Sequence, residues 1–202
     1  MNLKLTAIAL GLGAVISAGL HAPASAADPV RVRGVIETSD GAKMSVKTRE
    51  GATTAVAFAD AKIMAVVKAS IEDIKPGDFV GIASLPKSKG GDGALEVLIF
   101  PAAMKGSNEG SYPWDLKPKS TMTNATVTNA VKEVDGREVT VKFGGKEKKI
   151  SVADGTVIVS LTPATATDLK PGATIFAVGG ATPDGVTAGF VVVGANGIVP
   201  PM

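Results

Sequence analysis

The chain has 202 residues, 45% of them apolar, and a formal net charge of +2, which allows one ordinary domain or two small ones and excludes wholesale disorder. Twenty-four glycines and only 4% aromatic residues suit a turn-rich β protein better than a helical bundle, and the near-neutral balance argues against a broad phosphate-binding face. Without cysteine there can be no disulfide, no thiolate zinc site and no Cys nucleophile.

The N-terminus reads as an export signal. Lys4 precedes an uncharged, mostly apolar stretch over residues 6–20, and Ala24-Ser25-Ala26 has the small-residue pattern of a cleavage site. The stretch is shorter than the roughly 20 residues that span a bilayer. Residues 1–26 are therefore expected to be a signal peptide, leaving a periplasmic or secreted protein with no membrane anchor. Removal takes away Lys4 and His21, the only histidine, so the charge falls from +2 to +1. A mature chain with neither His nor Cys cannot assemble the usual Ser-His-Asp or Cys-His systems. No enzymatic activity and no cofactor are expected.

From residue 30 onward the pattern is one of short strands and turns. Val30, Val32 and Ile36 alternate with Arg31, Arg33 and Glu37; Ser39-Asp40-Gly41 marks a hairpin; Met44, Val46 and Thr48 alternate with Lys43, Ser45 and Lys47. Strands are expected next at 53–58 and 63–67, then a helical turn at 70–74 that Ser70 can cap. The turn Lys75-Pro76-Gly77 follows, where Pro presets φ and Gly accepts positive φ. Strands at 79–85 and 94–100 complete the set.

The same order then recurs. Asp73-Ile74-Lys75-Pro76-Gly77 returns as Asp168-Leu169-Lys170-Pro171-Gly172, and Asp40-Gly41 as Asp135-Gly136, both 95 positions on. That spacing sets Val32 with Val127, Ile36 with Val131, Met44 with Val139 and Val46 with Val141. The third strand matches at 94 (Val56 with Ile150) and the last hairpin at 92 (Asp92-Gly93 with Asp184-Gly185). Matches kept in strands, with length changes confined to turns, are what a duplication leaves. A copy of roughly 70 residues is near the lower limit for independent folding, and closing its sheet into a barrel removes exposed edges. The expected fold is all-β: two tandem small OB-like or SH3-like barrels at 27–100 and 124–202, joined by a connector at 101–123. One larger sandwich or barrel shared by both copies is the alternative.

The connector has no counterpart in either copy and holds the only Trp and only Tyr, in Ser111-Tyr112-Pro113-Trp114-Asp115. Trp114 suits a staple that fixes the connector to one barrel or fills the groove between them. Tyr112 and Trp114 are also the candidates for stacking a ligand or partner, expected to be a small ligand or an envelope protein. Nucleic acid is not expected, because aromatics are scarce on the strands. Asp40, Asp60, Asp73, Asp92, Asp135, Asp154, Asp168 and Asp184 mostly occupy turn positions, where Asp accepts from nearby backbone N–H groups. Thioethers are the remaining soft metal ligands. Met44 aligns with Val139 and reads as core; Met122, in the connector, is the metal candidate.

Gly34-Val35-Ile36-Glu37, Asp40-Gly41, Val46-Lys47, Asp73-Ile74-Lys75-Pro76-Gly77-Asp78-Phe79-Val80, Pro113-Trp114-Asp115-Leu116-Lys117-Pro118 and Ser120-Thr121-Met122-Thr123-Asn124-Ala125 resemble an exported bacterial β-barrel family classed as a domain of unknown function. The resemblance covers the whole mature chain. It implies a β-barrel fold and an exported location and brings no catalytic residues. Ile74-Lys75-Pro76-Gly77-Asp78 is also distantly similar to the Leu-Lys-Pro-Gly-Asp turn of small periplasmic copper-carrying OB barrels. The His and the Trp–Met cluster of those barrels are not matched, since Trp114 and Met122 lie in the connector. The expected role is a non-enzymatic exported binding or structural module. The alternative is a metal- or small-ligand-carrying accessory protein of an envelope transporter.

Overall fold

The computed structural model describes residues 28–133 and 136–201. The expected signal peptide with His21, and also Asp135 and Met202, lie outside the described residues. In chain order the strands are β1 (Val30–Ser39), β2 (Lys43–Thr48), β3 (Thr53–Ala57), β4 (Lys62–Lys68), β5 (Phe79–Pro86), β6 (Asp92–Ile99), β7 (Gly110–Pro113), β8 (Thr121–Glu133), β9 (Gly136–Phe143), β10 (Lys146–Ala153), β11 (Val157–Pro163), β12 (Thr174–Thr182) and β13 (Gly185–Gly194). Helical pieces among the described residues are short 3-10 turns such as Ile71–Asp73 and Ala166–Asp168. The all-β expectation holds.

Local chemistry accounts for the turns. Asp40 Oδ1 accepts from the backbone N–H groups of Ala42 and Lys43. Asp73 and Asp168 accept from the N–H groups of Ser70 and Thr165, and Asp78 from that of Lys75. Such bonds hold a turn without help from distant residues. Gly77 and Gly172 have φ of 96° and 86°, the left-handed region that a side chain would strain.

Strand pairing does not follow the two halves of the chain. β1, β2 and β3 pair in sequence, and β12 and β13 close them into a five-stranded barrel, with β12 against β1 and β13 parallel to β3. In the same way β8, β9 and β10 pair in sequence, and β5 and β6 complete their circuit. β4 and β11 pair with each other and run parallel to β13 and β6, so that all strands belong to one sheet. The expectation of one barrel closed from residues 27–100 and another from 124–202 is corrected accordingly. Each half sends its last hairpin into the other half, an arrangement nearer to the shared alternative. The physical reason lies at the Lys-Pro-Gly turns. Gly77 N donates to Val127 O and Val127 N to Asp78 O; Gly172 N donates to Ile36 O and Ile36 N to Ala173 O. Each turn hooks onto the first strand of the opposite half and carries the following hairpin there.

These hooks correct two details of the internal match. Ile36 and Val127 occupy the same place, each receiving a turn and each followed by a bulge. β1 and β8 therefore correspond at a spacing of 91, from Ile36 to Val127, and Ile36 does not match Val131, which is 50% exposed. Likewise Asp92 pairs with Pro86 inside a hairpin, whereas Asp184 sits in the turn between Thr182 and Gly185. Residues 101–123 are also more than a connector. They include a 3-10 turn at Ala102–Met104 and β7, which pairs with β8 through Tyr112 and Met122.

Three apolar clusters result. Val46, Val56, Phe58, Ile175 and Val191 fill the barrel of β1–β3, β12 and β13, with Met44 buried among them as expected. Val80, Ile82, Val97, Val141 and Ile150 fill the second circuit. The third cluster lies between the two and includes Met64, Leu98, Met122, Val159, Phe176 and Val192.

Candidate functional site

The third cluster is bounded by two four-stranded walls. In the first, made of β1, β12, β13 and β4, successive residues point to opposite faces. Val32, Ala177 and Val191 turn into the barrel, which places Arg31, Val178, Phe190 and Lys62 as direct cross-strand neighbours in one outer row. The next row is Arg33, Phe176, Val192 and Met64. In the second wall, made of β8, β5, β6 and β11, the corresponding rows are Met122, Ala83, Glu96, Val157 and Asn124, Gly81, Leu98, Val159.

Between the walls is a cavity of about 830 Å³. The first wall contributes Arg31, Lys62, Phe176, Val178 and Phe190 to its lining, and the second Gly81, Leu98, Met122 and Asn124. Met104, Tyr112 and Trp114 line it from the segment between β6 and β8. Gly81 is tightly held: a Cβ there would stand 2.8 Å from Asn124 Oδ1 and 3.1 Å from Phe100 Cε2. Five of the eight aromatic side chains, namely Phe100, Tyr112, Trp114, Phe176 and Phe190, line this one space.

Charge and ring contacts fasten the β6–β8 segment across the groove. The Arg31 guanidinium lies 4.2 Å from the Trp114 ring centre, and that of Arg33 lies 5.8 Å from Trp114 and 5.1 Å from Phe176. Asp115 accepts a bidentate pair from Arg33 at 2.7 and 3.2 Å and stands 3.6 Å from Arg31. Burial by itself would raise the Asp115 carboxyl, but the hydrogen bonds and charge of Arg33 and the charge of Arg31 together hold it below its ordinary value. Tyr112 meets Trp114 edge to face at 6.2 Å, and its Oη accepts from Asn124 Nδ2 at 3.0 Å. Burial pushes the Tyr112 phenol up, with Arg31 opposing. The loop after Trp114 is closed by Ser120, whose carbonyl accepts from Trp114 N and whose hydroxyl lies 2.9 Å from Trp114 O. Trp114 Nε1 is buried without a hydrogen-bond partner among the described residues.

Tyr112, Trp114 and Met122, the three residues singled out from sequence, all lie on this cavity. Trp114 does staple its segment to the first wall and fills part of the groove between the two circuits. Arg31, Lys62, Phe176 and Phe190 were not legible as site residues. Arg31 and Arg33 alternate with Val30 and Val32 and so read as an ordinary solvated strand face; a basic pair on such a face was the only signal available. Among the described residues no three or more His, Cys, Asp or Glu side chains group to hold a metal, and no helix is long and apolar enough to cross a membrane. The chain matches no protein-family model, and no curated protein or solved structure is significantly similar to it.

Proposed function

We propose that the protein is a non-enzymatic exported binding module, built by duplication of a small OB-like or SH3-like β unit, whose ligand occupies the cavity between the two walls. The observation that carries this reading is the gathering of five of eight aromatic side chains around about 830 Å³, a volume within the range of small-molecule sites. Packed side chains ordinarily leave few voids; here Tyr112, Trp114 and Phe176 pack on one another and still border a cavity, beside a few polar groups, Arg31, Lys62 and Asn124. The recurrence of the Lys-Pro-Gly turn and the matched pairings of the two halves support duplication. The lack of His and Cys after residue 26 supports a non-enzymatic role, and the N-terminal pattern supports export.

Trp114 is the only tryptophan, so protein fluorescence excited in the indole band reports on the cavity alone. Native mass spectrometry of protein purified from its own envelope should show a bound small molecule that leaves on denaturation. The ligand-free protein should transfer excitation from Trp114 to a bound apolar dye such as anilinonaphthalene sulfonate. A bare polypeptide mass together with no dye response would overturn the reading.

One observation favours a second reading, a soft-metal carrier serving an envelope transporter. Met104 and Met122 line the same cavity as Trp114, and thioethers are ligands for Cu(I). Stoichiometric Ag(I) should then quench Trp114; unchanged emission would dispose of this alternative.

A further inference from the structure

We infer that the cavity takes an anionic amphiphile, a molecule with an apolar body and one carboxylate, sulfate or phosphate head; this rests on reading the cavity as the binding site. The argument starts from the outer row of the first wall. Arg31, Val178, Phe190 and Lys62 are direct neighbours on four adjacent strands, and all four line the cavity. Adjacent strands lie about 4.8 Å apart, so the two cationic residues bracket the apolar pair from backbones about 14 Å apart. Their long stems can lie along apolar surface while the charged heads stay at the rim.

Among the ion pairs of the described residues Lys62 takes none, and Arg31 has only a shared carboxylate at 3.6 Å. Asp115 is shared between the Arg33 and the Arg31 guanidinium groups. Glu109, the acidic residue of the lining, accepts from Gly144 N at 2.9 Å. An anionic head beside Arg31 and Lys62 would give Lys62 an ion-pair partner and Arg31 a second one, and charge-assisted hydrogen bonds to such groups are among the stronger ones. Met122, Leu98 and Phe100 offer the apolar body a surface with no cation of its own. Because Arg31 already stacks on Trp114, a head that engages the guanidinium must alter the indole emission.

The test is a titration of the mature protein, followed by Trp114 emission, with decanoate, decanol and decyltrimethylammonium, all below micelle formation. Decanoate should bind saturably and at least about ten-fold more tightly than decanol, a difference of about 1.4 kcal/mol, and decyltrimethylammonium should bind least. Lys62→Gln, at an exposed position, should remove most of the preference for decanoate and leave decanol affinity unchanged. Val178→Phe, which puts bulk into the cavity, should weaken both; Leu98→Phe from the opposite wall serves if that variant does not fold. Equal affinity for the three probes, all weakened by the filling variants, would overturn the anionic head and keep the cavity as a binding site. No response to any probe, or responses indifferent to both filling variants, would overturn both. Retention on phosphatidylglycerol vesicles without any response to monomeric decanoate would assign the anionic chemistry to a membrane surface and overturn the inference.

Discussion

The wall of β1, β12, β13 and β4 and the wall of β8, β5, β6 and β11 are built by the same pairings in the same order, but their facing side chains differ at nearly every position. Where the first has Phe176 the second has Gly81; where the first has Phe190 the second has Glu96; Arg31 and Arg33 stand where the second has Met122 and Asn124. Backbone pairing asks only for extended residues of alternating character, so the pattern survives while the side chains on the outer rows change. Two bulky walls would crowd each other and two small ones would collapse together. A bulky wall carrying Arg31, Arg33 and Lys62 set against a smaller one whose outer rows carry no cation leaves a lined volume.

The largest expected effect comes from undoing the bulky side of this contrast. Phe176 is 2% exposed and packs on Trp114 with ring centres 6.3 Å apart. Phe176→Ala should destabilise the protein by about 3–5 kcal/mol, read as a lower urea midpoint at unchanged slope. A loss below about 1 kcal/mol would mean that the wall does not depend on its bulk.

The small side should respond to addition rather than removal. Gly81→Ala places a Cβ 2.8 Å from Asn124 Oδ1, and Asn124 is held by hydrogen bonds to Tyr112 Oη and the Asn108 carbonyl. The expected cost is about 1–2 kcal/mol, in the range of overpacked sites. A stabilising outcome would show that Asn124 yields freely and that the second wall is not matched to the first.

Asp115 ties the β6–β8 segment to the first wall only. Its carboxyl is held below its ordinary value, so its contribution is present above that value and disappears as pH falls through the lower, folded-state one. With a side chain 46% exposed, Asp115→Asn should cost about 1 kcal/mol or less at pH 7. The difference in Tm between variant and parent should shrink as pH falls through that lower value. A gap that persists unchanged in acid would sink the ion-pair account.

The smallest effect belongs to Tyr112, which hydrogen-bonds Asn124 of the second wall and meets Trp114 edge to face. It is the only tyrosine, so absorbance near 295 nm follows it alone. Its midpoint should exceed that of free tyrosine, about 10, because burial opposes ionisation. The sign is opposite to that of Asp115: the contribution is present below the ordinary value and lost as pH rises through the folded one. In urea the midpoint should return to the ordinary value.

The turns were readable because each is settled within a few residues: Asp40 bonds Ala42 and Lys43, and Gly77 needs only its own φ. The strands were readable for the same reason, since alternation marks an extended segment with one buried face. Tyr112, Trp114 and Met122 could be picked out because large aromatics are rare in this chain and stood outside the recurring pattern. Arg31 could not, since nothing within β1 says that Trp114, more than eighty positions away, will lie across its guanidinium.

By itself, then, the amino-acid sequence determined which segments are extended, where the chain turns, and that its order repeats. Only the tertiary structure decided that each Lys-Pro-Gly turn hooks onto the opposite half, through Gly77 and Val127 and through Gly172 and Ile36, and that the space between Phe176 and Gly81 stays open. Turn and strand preferences reside in contiguous residues. The choice of strand partner, and the volume left between two walls, depend on which side chains meet across the fold, which no contiguous stretch records.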